Sequence, residues 1–178
     1  MLKMNLQTFA DAVTGKIDRK YMAHLIDASF GGSSATWVRL GKDLEEYNVE
    51  LNPDVESTKN ILGETAFKHN GYEVSSEADP FYAEVGDKLF EKLQEIVDTL
   101  AKDDTCKTKA LEVHMWDGDE STGFVAYQQY CYIVPASYGG DTSGYQIPFT
   151  VHYVGSKTKG KYVASTKTFT ADGSTPVS

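Results

Sequence analysis

Apolar and polar residues alternate over much of this chain, and the period is mostly that of a strand. Tyr21–Ala28 (YMAHLIDA) predicts a first strand, and Gly31–Ala35 (GGSSA) a flexible turn after it. Thr36–Leu51 predicts a long strand, bent or bulged near Gly41. In its second half Tyr47, Val49 and Leu51 alternate with Glu46, Asn48 and Glu50. Pro53 should stop that strand, because proline offers no ladder donor. Asp54–Glu64 has no clean period. Within Ala66–Val74, Asn70-Gly71 predicts a type I′ hairpin turn, and Ser75–Asp79 reads as loop.

The period then changes. Val85, Leu89, Leu93, Ile96, Val97 and Leu100 recur at three- and four-residue spacing, which is one face of a helix. Asp79-Pro80 and Asp87 are alternative starts. Gly86 weakens the longer version, so the spacing favours a helix over Asp87–Ala101, with Asp87 as cap. Thr108–Trp116 alternates again, and Asp117–Gly123 is a turn. Phe124–Val134 (FVAYQQYCYIV) is apolar on both faces and predicts a central strand. Pro135–Gly144 reads as loop, Tyr145–Val154 as strand, Gly155–Gly160 as turn and Lys161–Thr170 as the last strand. Many strands with one inserted helix predict an α+β fold. Two packed antiparallel sheets, as a sandwich or a rolled barrel, would bury the apolar faces, with the helix flanking them. The 178 residues suit a single domain over 1–178, with arms at about 1–20 and 171–178.

Composition narrows the function. The net charge of −9 argues against a binder that reads nucleic acid through a basic footprint. It suits a surface that nucleic acid slides past. No apolar run has the length of a membrane helix, and Met1–Ala12 lacks a signal-peptide core, so synthesis in a reducing cytoplasm is expected. Cys106 and Cys131 are the only cysteines. A hairpin of the two strands around 111–134 would set Cys131 opposite Lys109, so both are expected as free thiols.

The candidate chemistry is thin. Gly155-Ser156-Lys157-Thr158-Lys159-Gly160-Lys161 opens like a phosphate-binding loop. Tyr162 then stands where a Ser or Thr hydroxyl should hold magnesium, and the next segment is strand-like rather than helical. His24, His69, His114 and His152 lack the helical spacing of a zinc pair; His114 and His152 read as half-exposed strand residues. Asp117, Asp119 and Glu120 read as a solvated acidic turn rather than a calcium loop. Ser137, Asp141 and His152 make a trio that any chain of this size could offer. No cofactor, metal or catalytic residue is expected, which leaves an enzyme as the weakest class.

Three stretches carry a family likeness. Val49–Glu64 (VELNPDVESTKNILGE), Pro80–Asp98 (PFYAEVGDKLFEKLQEIVD) and the pair Ser137–Gly155 and Lys167–Ala171 resemble, in order and spacing, segments of the major tail proteins of long-tailed, non-contractile phages, especially those infecting Gram-positive bacteria. The likeness spans roughly Tyr21 to Gly173, is weakest over Asp103–Gln129, and includes no chemically diagnostic motif. It implies a tail-tube-like fold and a structural role: hexameric rings stacked into a hollow tube around a tape measure protein. The tube would join tail tip and tail terminator proteins and conduct double-stranded DNA to the host without binding it specifically. The virion tail would be its location, assembled in the bacterial cytoplasm.

On that footing two sets of residues become candidates. Leu51–Glu64 is too irregular to bury its own apolar residues, so Leu51, Pro53, Val55, Ile61 and Leu62 are expected to pack on an adjacent subunit, of the next ring. Glu46, Glu50 and Glu112, on polar strand faces, are expected to line the lumen. The competing reading is a β-sandwich binding module of a phage baseplate or adhesin, with Tyr127, Tyr130, Tyr132, Tyr138 and Tyr145 as its patch.

Overall fold

A computed structural model describes residues 14–173. The expectations for the outermost residues of both arms therefore lie outside the described part. Arg19–Tyr21, where the expected first arm meets the expected first strand, forms a 3-10 turn, and Arg19 donates to the carbonyls of Met22 and Tyr47.

The elements follow in chain order: β1 Met22–Asp27, β2 Trp37–Arg39, β3 Val49–Glu50, β4 Pro53–Lys59, β5 Thr65–Tyr72, β6 Ser75–Ala78, α1 Lys88–Thr99, β7 Lys107–Asp119, β8 Gly123–Pro135, β9 Gly139–Asp141, β10 Gly144–Gln146, β11 Phe149–Val163 and β12 Thr168–Ala171. An eight-stranded sheet runs β2-β1-β7-β8-β11-β6-β3, with β12 added to β11, and its ladders are antiparallel. Two two-stranded ribbons, β4-β5 and β9-β10, stand beside it. The α+β class with a single flanking helix is as the sequence predicts, and β8 is central because it is apolar on both sides.

The sheet buries its two faces in different places. One face carries Ile26, Ala110, Cys131, Ile133, Phe149 and Val151, and Leu89 and Leu93 of α1 cover it. The opposite face carries Ala23, Leu25, Trp37, Leu111, Val113, Phe124, Ala126 and Tyr162 as a second cluster. These residues come from strands β2, β1, β7, β8 and β11, and Phe169 of β12 packs against them. The sheet curls to cover its own side. Bulges between His114 and Gly118 in β7, and between Val154 and Thr158 in β11, permit that curl.

α1 forms where the stripe predicts. Asp87 is its cap, accepting from the Leu89 N–H at 2.9 Å, and Leu89, Leu93 and Ile96 are its buried face.

Several expected boundaries give way. Thr36–Leu51 is not one strand, because only Trp37–Arg39 and Val49–Glu50 find ladder partners. Glu46 therefore lies in the connecting loop. Pro53 begins β4 rather than ending a strand, and Ser75–Asp79 supplies β6. Asn70-Gly71 is not the hairpin turn: it sits inside β5, at a bulge opposite Asp54 and Val55. The loop expected at Pro135–Gly144 contains β9, and Tyr145 pairs with it through β10. Gly155–Gly160 is not a turn. β11 runs on through it, bulged between Val154 and Thr158, and ends at Val163, leaving β12 as a separate short strand. Cys131 faces Thr108, one position from the expected Lys109.

Candidate functional site

The most exposed element is the β4-β5 hairpin. Its strands pair from Pro53↔Tyr72 to Lys59↔Thr65 and, among the described residues, join no other strand. The turn is built by Asn60, whose Oδ1 accepts from the N–H groups of Leu62 and Glu64, each at 3.0 Å. Its Nδ2 donates to Glu64 Oε2 at 2.6 Å, and Gly63 takes a φ of 82°. This is Asx chemistry, the usual alternative to an Asn-Gly pair. At the base, the backbone N–H of Glu73 donates to the Asn52 carbonyl, and the Asn52 side chain donates to the Glu73 carbonyl and to Ser75.

Among the described residues, nothing covers this ribbon. Leu51, Pro53, Val55, Ile61 and Leu62, the residues predicted to meet a neighbour, are exposed, with Ile61 103% and Leu62 79% accessible at the tip. Phe67 and Tyr72 are exposed with them. Sequence reasoning missed these two because it placed them in a different hairpin. A two-stranded ribbon alone is marginally stable in water, and beyond local contacts such as Tyr72 on the His69 ring at 4.5 Å its apolar residues are left to solvent.

The carboxylates predicted for a lumen divide into two kinds. Glu46 and Glu50 are exposed and line a concavity of about 350 Å³ together with Glu77 and Asp79. Glu112 is half-buried. Its Oε1 lies 2.8 Å from His114 Nε2, and its Oε2 accepts from Lys157 Nζ at 3.0 Å. Burial alone would raise its pKa, but the bonds to His114 and Lys157 outweigh that and hold it below the usual carboxylate value. His114 stacks on Trp116 at 4.4 Å, and Tyr127 lies beside it. The i, i+2 spacing of Glu112 and His114 was the available signal for this cluster; Lys157, from the bulge of β11, gave none.

Next to it, His24 is buried opposite Glu112 in the ladder and packs on the Tyr47 ring at 4.9 Å. Burial, then the nearby Arg19, push its pKa down to about 4. Tyr47 reaches in from the β2–β3 loop, and its hydroxyl joins Ser76 at 2.6 Å and Tyr153 at 3.1 Å.

The other candidates are dispersed. The tyrosines of the binding-module reading form no single patch. Tyr127 points to the face that bears Glu112, while Tyr130 and Tyr132 point to the opposite face beside Lys107 and Lys109. Tyr145 packs on Phe90 of α1, with its hydroxyl on Gln94. Cys106 and Cys131 are free and buried, and burial pushes the Cys131 thiol up to about 12. In the segment that opens like a phosphate loop, Gly160 serves packing, since a Cβ there would sit 2.2 Å from the Thr170 carbonyl oxygen. Asp119 accepts from Ser121 and Thr122 as an ordinary turn cap. No cluster of His, Cys, Asp or Glu among the described residues is arranged to hold a metal.

No protein-family model matches the chain, and no curated protein does. Among solved structures, the tube-terminating cap of the anti-feeding prophage, determined by cryo-EM, is similar to this chain at 10% sequence identity and a TM-score of 0.47. The match covers 89% of this chain and 99% of the cap chain.

Proposed function

We propose that this chain is a structural subunit that assembles with copies of itself into hexameric rings, and that the rings stack into the hollow tail tube of a long-tailed phage. In this reading the tube houses a tape measure protein, meets tail tip and terminator proteins at its ends, and conducts DNA to the host cell. The subunit is assembled in the bacterial cytoplasm, resides in the virion tail and acts by shape and charge rather than by catalysis. The observation that carries the reading is the β4-β5 hairpin, which spans Pro53 to Tyr72 and lays apolar residues into solvent along its length. The ordered likeness to phage major tail proteins, which includes the first strand and turn of this hairpin, supports the same conclusion.

The energetics fit an element that waits for a partner. Each aliphatic side chain transferred from water contributes about 1.5–3 kcal/mol. Fixing the ribbon against a neighbour costs conformational entropy of a similar order. One subunit therefore gains little from ordering its own hairpin, and a ring that presents the docking surface tips the balance. The hairpin and the surface it meets are different parts of one chain, so the contact is head-to-tail; made between rings rather than within one, it repeats along the tube without closing. Replacing residues 53–72 with a short Gly/Ser linker should leave a folded monomer that forms no tubes. Normal polymerisation of that variant overturns the reading.

A further inference from the structure

We propose that the groove between the C-terminal end of α1 and the outer face of β8 on one copy receives the hairpin tip, Ile61 and Leu62, of a second copy. The inference rests on the tube reading above and names the surface that the hairpin meets.

The groove measures about 830 Å³, and its apolar lining includes Ile96, Val97, Leu100, Val134, Pro135 and Tyr138. Leu100 is the informative residue. It caps α1 in the left-handed conformation, with a φ of 48°, and is 83% exposed. Glycine takes that position without strain and leucine does not. The backbone N–H groups of Leu100 and Ala101 close the helix end on the Val97 and Ile96 carbonyls, which accounts for the turn, but a glycine would serve there, and among the described residues the leucine side chain is left wet. Val134 and Tyr138 are also exposed across from it.

The hairpin tip has the complementary form. Ile61 and Leu62 project from a narrow turn, with Lys59 on one flank and Glu64 on the other. The groove is rimmed by Lys102, Asp103 and Asp104, and the Tyr132 hydroxyl donates to Asp104 at 3.3 Å. A tip that enters with Lys59 toward the two aspartates and Glu64 toward Lys102 meets opposite charge on both sides. Such matching fixes orientation and register more than it adds affinity. Knob and hole lie on the same chain, so each copy can receive one neighbour and enter another.

Disulfide trapping tests the contact directly. In a Cys106→Ala background, a Leu62→Cys chain is mixed with a Val134→Cys chain under mild oxidation. A cross-linked species specific to the mixture is expected, with neither chain alone giving it. In parallel, Leu100→Glu should keep the wild-type unfolding midpoint and raise the concentration needed for assembly about tenfold or more. Tubes by electron microscopy, with no cross-link and with normal assembly of Leu100→Glu, would mean that the hairpin docks elsewhere and that another tail protein takes the groove. That result overturns this inference and leaves the tube reading standing. A specific cross-link without tubes supports the contact and contradicts the tube. Absence of both refutes the two together.

Discussion

His24 is a histidine held where its charged form is disfavoured. It is buried against Tyr47, and its pKa falls from 6.5 to about 4. The unfolded chain therefore binds a proton that the folded chain refuses. This contribution to stability is present above pH 6.5 and is lost as the pH falls toward 4, amounting to about 3 kcal/mol across the window. Glu112, held below its ordinary value, works in the same direction at lower pH. Urea denaturation at several pH values should show stability falling with acidity, and His24→Phe should flatten the slope between pH 6.5 and 4; an unchanged slope would place the titration elsewhere. Little of this was legible in the sequence. Alternation sets Glu112 and His114 on one strand face, but only the fold brings Lys157 over Glu112 and Tyr47 over His24. The pairing of Glu112 with Lys157 has no local signature, because Lys157 lies in a bulge of β11.

α1 was legible because stripe and cap agree: Leu89, Leu93 and Ile96 face the core, and Asp87 caps the first turn. β8 was legible because both its faces are apolar. The hairpin was not. Its turn rests on the side chain of Asn60, while the stronger Asn-Gly signal falls at a bulge in β5. Its strands are exposed on both sides, so no hydrophobic period marks them. The expected turn at Gly155–Gly160 failed for a different reason. Gly155 sits in the bulge of β11, and Gly160 admits the close approach of β12 rather than a reversal of the chain. Gly160→Ala should therefore destabilise the fold by about 1–3 kcal/mol through overpacking, measured by thermal or chemical unfolding. An unchanged midpoint would show that β12 can move away at no cost.

Among the described residues the molecule is a curled sheet with two buried clusters and two small ribbons outside them, of which the β4-β5 hairpin is the longer. The fold class could be read from the alternation, and the curl could not, since bulges in β7 and β11 set it. The charge of −9 is borne partly by the concavity of Glu46, Glu50, Glu77 and Asp79. If Glu46 and Glu50 face a DNA channel, Glu46→Lys combined with Glu50→Lys should leave tubes intact and impair DNA delivery, because added cations hold phosphate. Virions built from that double variant with normal infectivity would remove both residues from the channel. The most direct test of the central claim is negative-stain electron microscopy of the purified chain at rising concentration, with tail partners added as seeds. Hexameric rings and hollow tubes are expected; a chain that stays monomeric at every concentration, partners included, would contradict the tail-tube role.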